Sequence, residues 1–208
     1  MRRISIILSF FLLIHIPISC ELLGITDPCG STEQLVSTIT RLSTSTGSIE
    51  SGLFSNQISR EFEKAAIQIS VAGTEYTPVA ERHRDFSLLP RVHACSPPPP
   101  EPTQVIEAIR ITSAAPVYSN QTIYQEGESL NDLFKITDYS YTAEDLSIEE
   151  YVELQRNNIW IFGFEGDYIV FQLRSQPDSL IDQGFNFAFE FSDADVITTQ
   201  AFRFQVDN

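Results

Sequence analysis

Cys20, Cys29, Cys95, His83, His93 and a few close pairs of carboxylates are the side chains of this 208-residue chain best equipped for chemistry. The histidines could act as bases, yet neither has a nucleophile motif near it, and G-x-S-x-G and H-E-x-x-H are both absent. The thiols and imidazoles also lack zinc-site spacing, so the sequence offers no metal ligand set. Acids pair at Glu144-Asp145, Glu149-Glu150 and Asp193/Asp195. A glycosidase needs two carboxylates facing each other across a cleft, which adjacency in sequence does not supply. Glu149 and Glu150 fit better at a helix N-terminus, where negative charge is favourable. Asp193-Ala194-Asp195 lacks the glycine and the further ligands of a calcium loop. No catalytic residue and no cofactor is expected.

Trp160 is the only tryptophan and stands between Ile159 and Ile161. On a central strand it would be core, with its N–H satisfied. Turned outward beside Tyr168 or Tyr141, the same ring would stack on a ligand. Trp160 and Tyr168 are therefore the candidate ligand-binding residues, and the direction of the ring separates the two readings.

The chain opens with Met1-Arg2-Arg3, then an almost unbroken apolar run from Ile4 to Ile18, then Ser19-Cys20. That order is a secretory signal, and the run is too short for a spanning helix. Ile16-Pro17-Ile18-Ser19-Cys20 resembles the lipobox of bacterial lipoproteins, in which aliphatic and small residues precede an invariant cysteine; Pro17 stands where that family usually has leucine. The resemblance implies acyl chains such as palmitate on Cys20. Several chains would hold the protein stably to the membrane of the bacterial cell envelope, with the outer membrane as the expected site. Ordinary signal cleavage and secretion is the rival reading. With Cys20 lipidated, Cys29 and Cys95 form an even pair in an oxidising compartment. A disulfide between them would close a loop of about 66 residues and stabilise the fold by roughly 4 kcal/mol. Two free, buried thiols are the other possibility.

Removing residues 1–19 leaves 189 residues (208 − 19), and the loss of Arg2 and Arg3 takes the formal charge from -15 to -17. Residues 101–208 alone carry nineteen acids against five bases. Such a surface repels phosphate backbones, which excludes nucleic acid as a partner. The expected partners are the membrane, through the N-terminal lipid, and an envelope protein or glycan.

The elements that would position these residues divide at Ser96-Pro97-Pro98-Pro99-Pro100-Glu101-Pro102, a polyproline II segment expected to stay out of sheets and helices. It separates a lipid-anchor tether (20–30) and an N-terminal β-rich module (31–95) from a C-terminal β-sandwich module (103–208). Strands are expected at 35–42, 65–71 and 86–92, with a loop over 43–52. Further strands are expected at 105–113 and 117–125, followed by a short helical turn at 130–134. Ser147-Ile148-Glu149-Glu150 has the form of a capping box and starts a short helix that buries Ile148, Tyr151, Val152 and Leu154. Strands at 159–164 and 168–174 flank Glu165-Gly166-Asp167 as a hairpin. Phe185, Phe187, Phe189 and Phe191 then occupy every second position, which places four rings on one face of a strand. Phe202-Phe204-Val206 continues the pattern after the turn at Ser192-Asp193-Ala194-Asp195. The expected fold is mainly β: an antiparallel β-sandwich, immunoglobulin-like or transthyretin-like, with one short helix.

The lipobox-like start, Ala94-Cys95-Ser96-Pro97-Pro98, Ile109-Arg110-Ile111-Thr112-Ser113 and Gly127-Glu128-Ser129-Leu130-Asn131-Asp132-Leu133-Phe134 together resemble a group of Bacteroidetes-type exported lipoproteins of unknown function. The resemblance implies a β-rich exported lipoprotein and carries over no functional residue. The expected role is a non-catalytic binding or scaffolding module of the envelope. The alternative is a carbohydrate-binding surface protein that uses Trp160 and nearby tyrosines.

Overall fold

The computed structural model describes residues 34–79, 99–139, 142 and 144–207. The chain divides into two compact units, Met1–Leu35 with Pro78–Pro99 and Val36–Thr77 with Pro100–Asn208. The first lies almost wholly outside the described residues, as do Cys20, Cys29, Cys95, His83, His93, Tyr141 and the strand expected at 86–92. The fold is that of the second unit. It is mainly antiparallel β, built as a sandwich, and among the described residues it holds one α-helix. No described helix is long and apolar enough to cross a membrane.

The larger sheet runs in the order β2 (Leu53–Ser55), β1 (Leu35–Glu50), β3 (Ala65–Pro78), β9 (Tyr168–Leu173), β8 (Phe134–Tyr139). Strands from both sides of the proline-rich segment thus pair in one sheet, with Ile67 opposite Phe171. The smaller sheet runs β11 (Val196–Val206), β10 (Ile181–Phe191), β5 (Ile106–Ser113). As the alternation requires, Phe185, Phe187, Phe189 and Phe191 are all buried. Their rings meet the opposite sheet: Phe187 lies 5.2 Å from Phe171 and 6.5 Å from Phe134, and Phe185 lies 5.3 Å from Phe134 edge to face. Each such ring removes a large apolar area from water, worth a few kcal/mol.

Helix α1 spans Ile148–Asn157 with the expected capping box: Ser147 accepts from the Glu150 N–H, and the Glu150 carboxylate accepts from the Ser147 N–H. It buries Ile148, Tyr151, Val152 and Gln155, while Leu154 is only partly covered. The expected turn after residue 130 is a 3-10 turn, Asn131–Leu133.

Several expectations are corrected. The expected loop over 43–52 is mostly strand, because β1 continues to Glu50. A run of serine and threonine reads as loop by polarity, yet it suits this strand because the core side there needs only small residues. Gly47 lies so close to β2 that a Cβ would sit 2.0 Å from the Ser55 carbonyl oxygen. The expected strand over 117–125 is a hairpin, β6 (Val117–Ser119) and β7 (Thr122–Tyr124). Asn120 and Gln121 between them both have positive φ, 51° and 61°, the conformation of a tight type I′ connection. The proline segment does join a sheet at its end: β4 (Glu101–Pro102) pairs in parallel with Val36 and Ser37. It is only two residues long, and Thr103 N–H supplies the next donor, to Ser37 O at 3.2 Å. The buried residues of β11 do not keep one parity: Ala201 is buried opposite Phe185 but Phe204 and Val206 are buried beyond it, because the register shifts between Gln183 and Phe185.

The largest correction is at 159–164. Ile159–Ile161 is a 3-10 turn, not a strand, and β9 pairs with β3 and β8 instead of forming a hairpin with it. The β-branched and aromatic run looks like strand in isolation. It is taken over by the helix before it, because the Asn158 side chain accepts from the Trp160 N–H and carries the chain into one more tight turn.

Candidate functional site

That turn decides the fate of Trp160. The ring is not core: it is 47 % exposed. Around it the backbone is fixed by a set of polar contacts. Asn158 caps α1 with its N–H to Leu154 O and Gln155 O, and its Oδ1 accepts from Trp160 N at 3.3 Å. Phe162, two residues on, is fully buried and stacks on Phe189 at 6.0 Å. Gly163 sits under Pro102, where a Cβ would approach the proline Cβ to 2.6 Å. Ser37 Oγ donates to Gly163 O at 2.9 Å in a buried bond. Asp167 closes the loop by accepting from the Gly163 and Phe164 N–H groups at 2.9 and 2.8 Å. Gly166 N–H then donates to Val71 O, and Val71 N–H to Asp167 O, which ties the turn to β3.

The result is an aromatic ring held outside the core on a backbone anchored at both ends. Phe164 lies 5.5 Å away from Trp160 at 33°, a tilted pair. The exposed part of such a pair is an apolar aromatic surface of the kind that stacks on a sugar ring or on an apolar side chain.

Tyr168 has a different neighbour. Its hydroxyl donates to Asp138 Oδ2 at 3.2 Å, across the β8–β9 pair. Asp138 is buried, and that burial raises its carboxyl above the usual range, while the Tyr168 hydrogen bond and the Tyr139 backbone pull the other way. Trp160 and Tyr168, singled out together from the sequence, thus take separate positions, one facing outward and one tied to a core carboxylate.

Each pair of acids has at least one member with a structural partner. Asp145 bridges Lys135 at 2.6 Å, Glu144 accepts from the Tyr139 hydroxyl, and Glu150 belongs to the capping box. Asp193 accepts from Gln104 Nε2 at 2.8 Å and from the Asp195 N–H. Glu107, Glu190 and Asp195 do line a shallow depression of about 390 Å³, but Glu107 there is paired with Arg156 at 3.1 Å. Among the described residues no group of three or more His, Cys, Asp or Glu could hold a metal ion.

Sequence reasoning missed two buried glutamines that join the layers. Gln104 Oε1 accepts from Ile39 N–H at 2.6 Å, and Gln155 Oε1 accepts from Ile106 N–H at 2.8 Å. The signal for Gln155 was present, since it lies four residues after Tyr151 on the apolar face of α1. Also missed were the outward Tyr118 and Ile123, paired across the β6–β7 hairpin. No family model, curated protein or solved structure matches the chain.

Proposed function

We propose that this protein is an exported lipoprotein, held to the bacterial cell envelope by acyl chains on Cys20, whose β-sandwich serves as a non-catalytic binding or scaffolding module. The signal-like start and its cysteine support the location. The observation that supports binding is Trp160: an aromatic ring kept out of the core by a braced turn is available to a partner without any rearrangement of the fold. The adjacent Phe164 ring favours a second, narrower reading, in which the partner surface is a glycan that stacks on the pair.

One series tests both. Intact mass of membrane-extracted protein reads the acyl chains on Cys20, and envelope partners are captured with the unaltered chain and with Trp160→Ala. Acylation together with partner capture lost in the variant is the expected result; saturable binding on a glycan array, lost in the same variant, selects the narrower reading. An unmodified soluble chain would overturn the anchor. Capture that is indifferent to Trp160→Ala would overturn the site.

A further inference from the structure

The surroundings of Trp160 carry one sign of charge. Glu165 follows Phe164, whose ring lies 5.5 Å from the indole, and Glu101 precedes Pro102, which lies against Gly163. Both glutamates are exposed, and neither is in an ion pair among the described residues. Trp160 also follows the C-terminus of α1, the negative end of the helix dipole. The nearest base in sequence, Arg156, is taken up by Glu107 at 3.1 Å and Glu153 at 3.4 Å, and no lysine, arginine or histidine occurs from 157 to 173. The neutral polar side chains before the ring are engaged as well. Asn158 Oδ1 accepts from Trp160 N–H, and Asn157 Nδ2 donates to Glu153 O at 2.9 Å.

We propose that the Trp160–Phe164 surface receives an arginine side chain from a basic segment of a partner protein. The proposal rests on Trp160 as the binding surface and names the partner by its charge. An aromatic face attracts a cation placed over it, and carboxylates nearby add to that attraction. Arginine suits the site better than lysine, because its planar guanidinium stacks flat on an indole and keeps its in-plane N–H groups for carboxylates. A sugar is served less well. It needs polar side chains free to meet its hydroxyls, and both asparagines here are engaged with the backbone. The wider charge agrees. Residues 101–208 hold nineteen acids against five bases, and three of those bases, Lys135, Arg156 and Arg203, are in ion pairs. A basic segment is therefore drawn toward this part of the chain, and an acidic one is turned away. The braced turn holds its backbone before the partner arrives, which leaves little ordering to oppose binding.

Trp160 is the chain's only tryptophan, so its emission reports on the site directly. The test titrates the full chain with a short glycine–serine peptide containing arginines, and with the same peptide carrying uncharged citrulline in their place. A saturable change in emission is expected with the arginine peptide alone, weakening roughly five-fold between about 50 and about 200 mM salt. Read by the anisotropy of a labelled peptide, Trp160→Ala should weaken binding roughly five-fold or more, and Glu165→Gln and Glu101→Gln roughly two- to five-fold each. Glu126→Gln is the control for net charge and should leave binding nearly unchanged. Its neighbour Gly127 is bonded to Ser113 at one end of β5, whereas α1 holds Ile106 at the other. Equal weakening by all three glutamine variants would reveal a general attraction to an acidic chain and overturn the proposal. No saturable change with the arginine peptide, equal binding of the citrulline peptide, or binding indifferent to Trp160→Ala would overturn it too, as would a saturable, salt-independent glycan signal lost in Trp160→Ala. Envelope-partner capture that is lost in Trp160→Ala would in each case leave Trp160 standing as the binding surface, so the two failures are told apart. None of the peptide readouts depends on the lipid.

Discussion

The protein places aromatic rings in two ways. In β10 four phenylalanines at every second position are buried together, and their geometry follows from strand periodicity alone. Around Trp160 no period operates. The ring is set by a helix cap, an aspartate that accepts two backbone N–H groups, and a glycine under a proline. Periodicity makes a core, whereas specific polar contacts hold a side chain where periodicity would not put it. An exposed aromatic set in this second way is a better candidate for recognition than one left outside by chance.

Substitutions can break that contrast. The largest effect is expected for Phe187→Ala, which empties a site between Phe134 and Phe171 and should cost about 3–5 kcal/mol in urea unfolding. A loss under about 1 kcal/mol would mean that the ladder is not the centre of the core. Asp167→Ala comes next. It leaves the Gly163 and Phe164 N–H groups without their acceptor and should cost about 1–3 kcal/mol, with a shift in the emission of the single tryptophan. An unchanged spectrum would show that the turn does not depend on the aspartate.

Asp138 sharpens the comparison from the core side, because its carboxyl is raised by burial. In the folded state it holds its proton to higher pH than the unfolded chain does. Ionisation therefore removes stability as pH rises from about 4, the unfolded value, through the raised folded one. Asp138→Asn, which keeps an acceptor for the Tyr168 hydroxyl, should lack that loss. The stability difference between variant and parent should grow over this interval and level off above it; a difference that is flat with pH would refute the assignment. The smallest effect belongs to Trp160→Ala, about 0.5 kcal/mol or less on folding, since half of the ring already meets water.

What could be read from the sequence follows the same division. The phenylalanine strand and the capped helix were legible because their signals are local: a period of two and a serine three residues before a glutamate. The 159–161 turn was not, since Ile-Trp-Ile-Phe has strand chemistry and only Asn158 redirects it. The far end of β1 was hidden by its serines and threonines, whose place in the sheet depends on β2 coming within contact of Gly47. Trp160 could be singled out by type. Its orientation could not, because the brace includes a hydrogen bond between Ser37 and Gly163, 126 positions apart.

The long reach of the larger sheet bears on the order in which the chain is made. β3 has its second neighbour in β9, about a hundred residues later, and β1 waits for Gly163. An early ribbon of β1, β2 and β3 is marginal alone, so a chain emerging N-terminus first stays short of its fold until nearly 170 residues have been synthesised. The β10–β11 hairpin, by contrast, closes on itself within a few residues. Folding is thereby held back until late in translation. That delay leaves the first strands of the larger sheet without their long-range partners for most of the chain's synthesis.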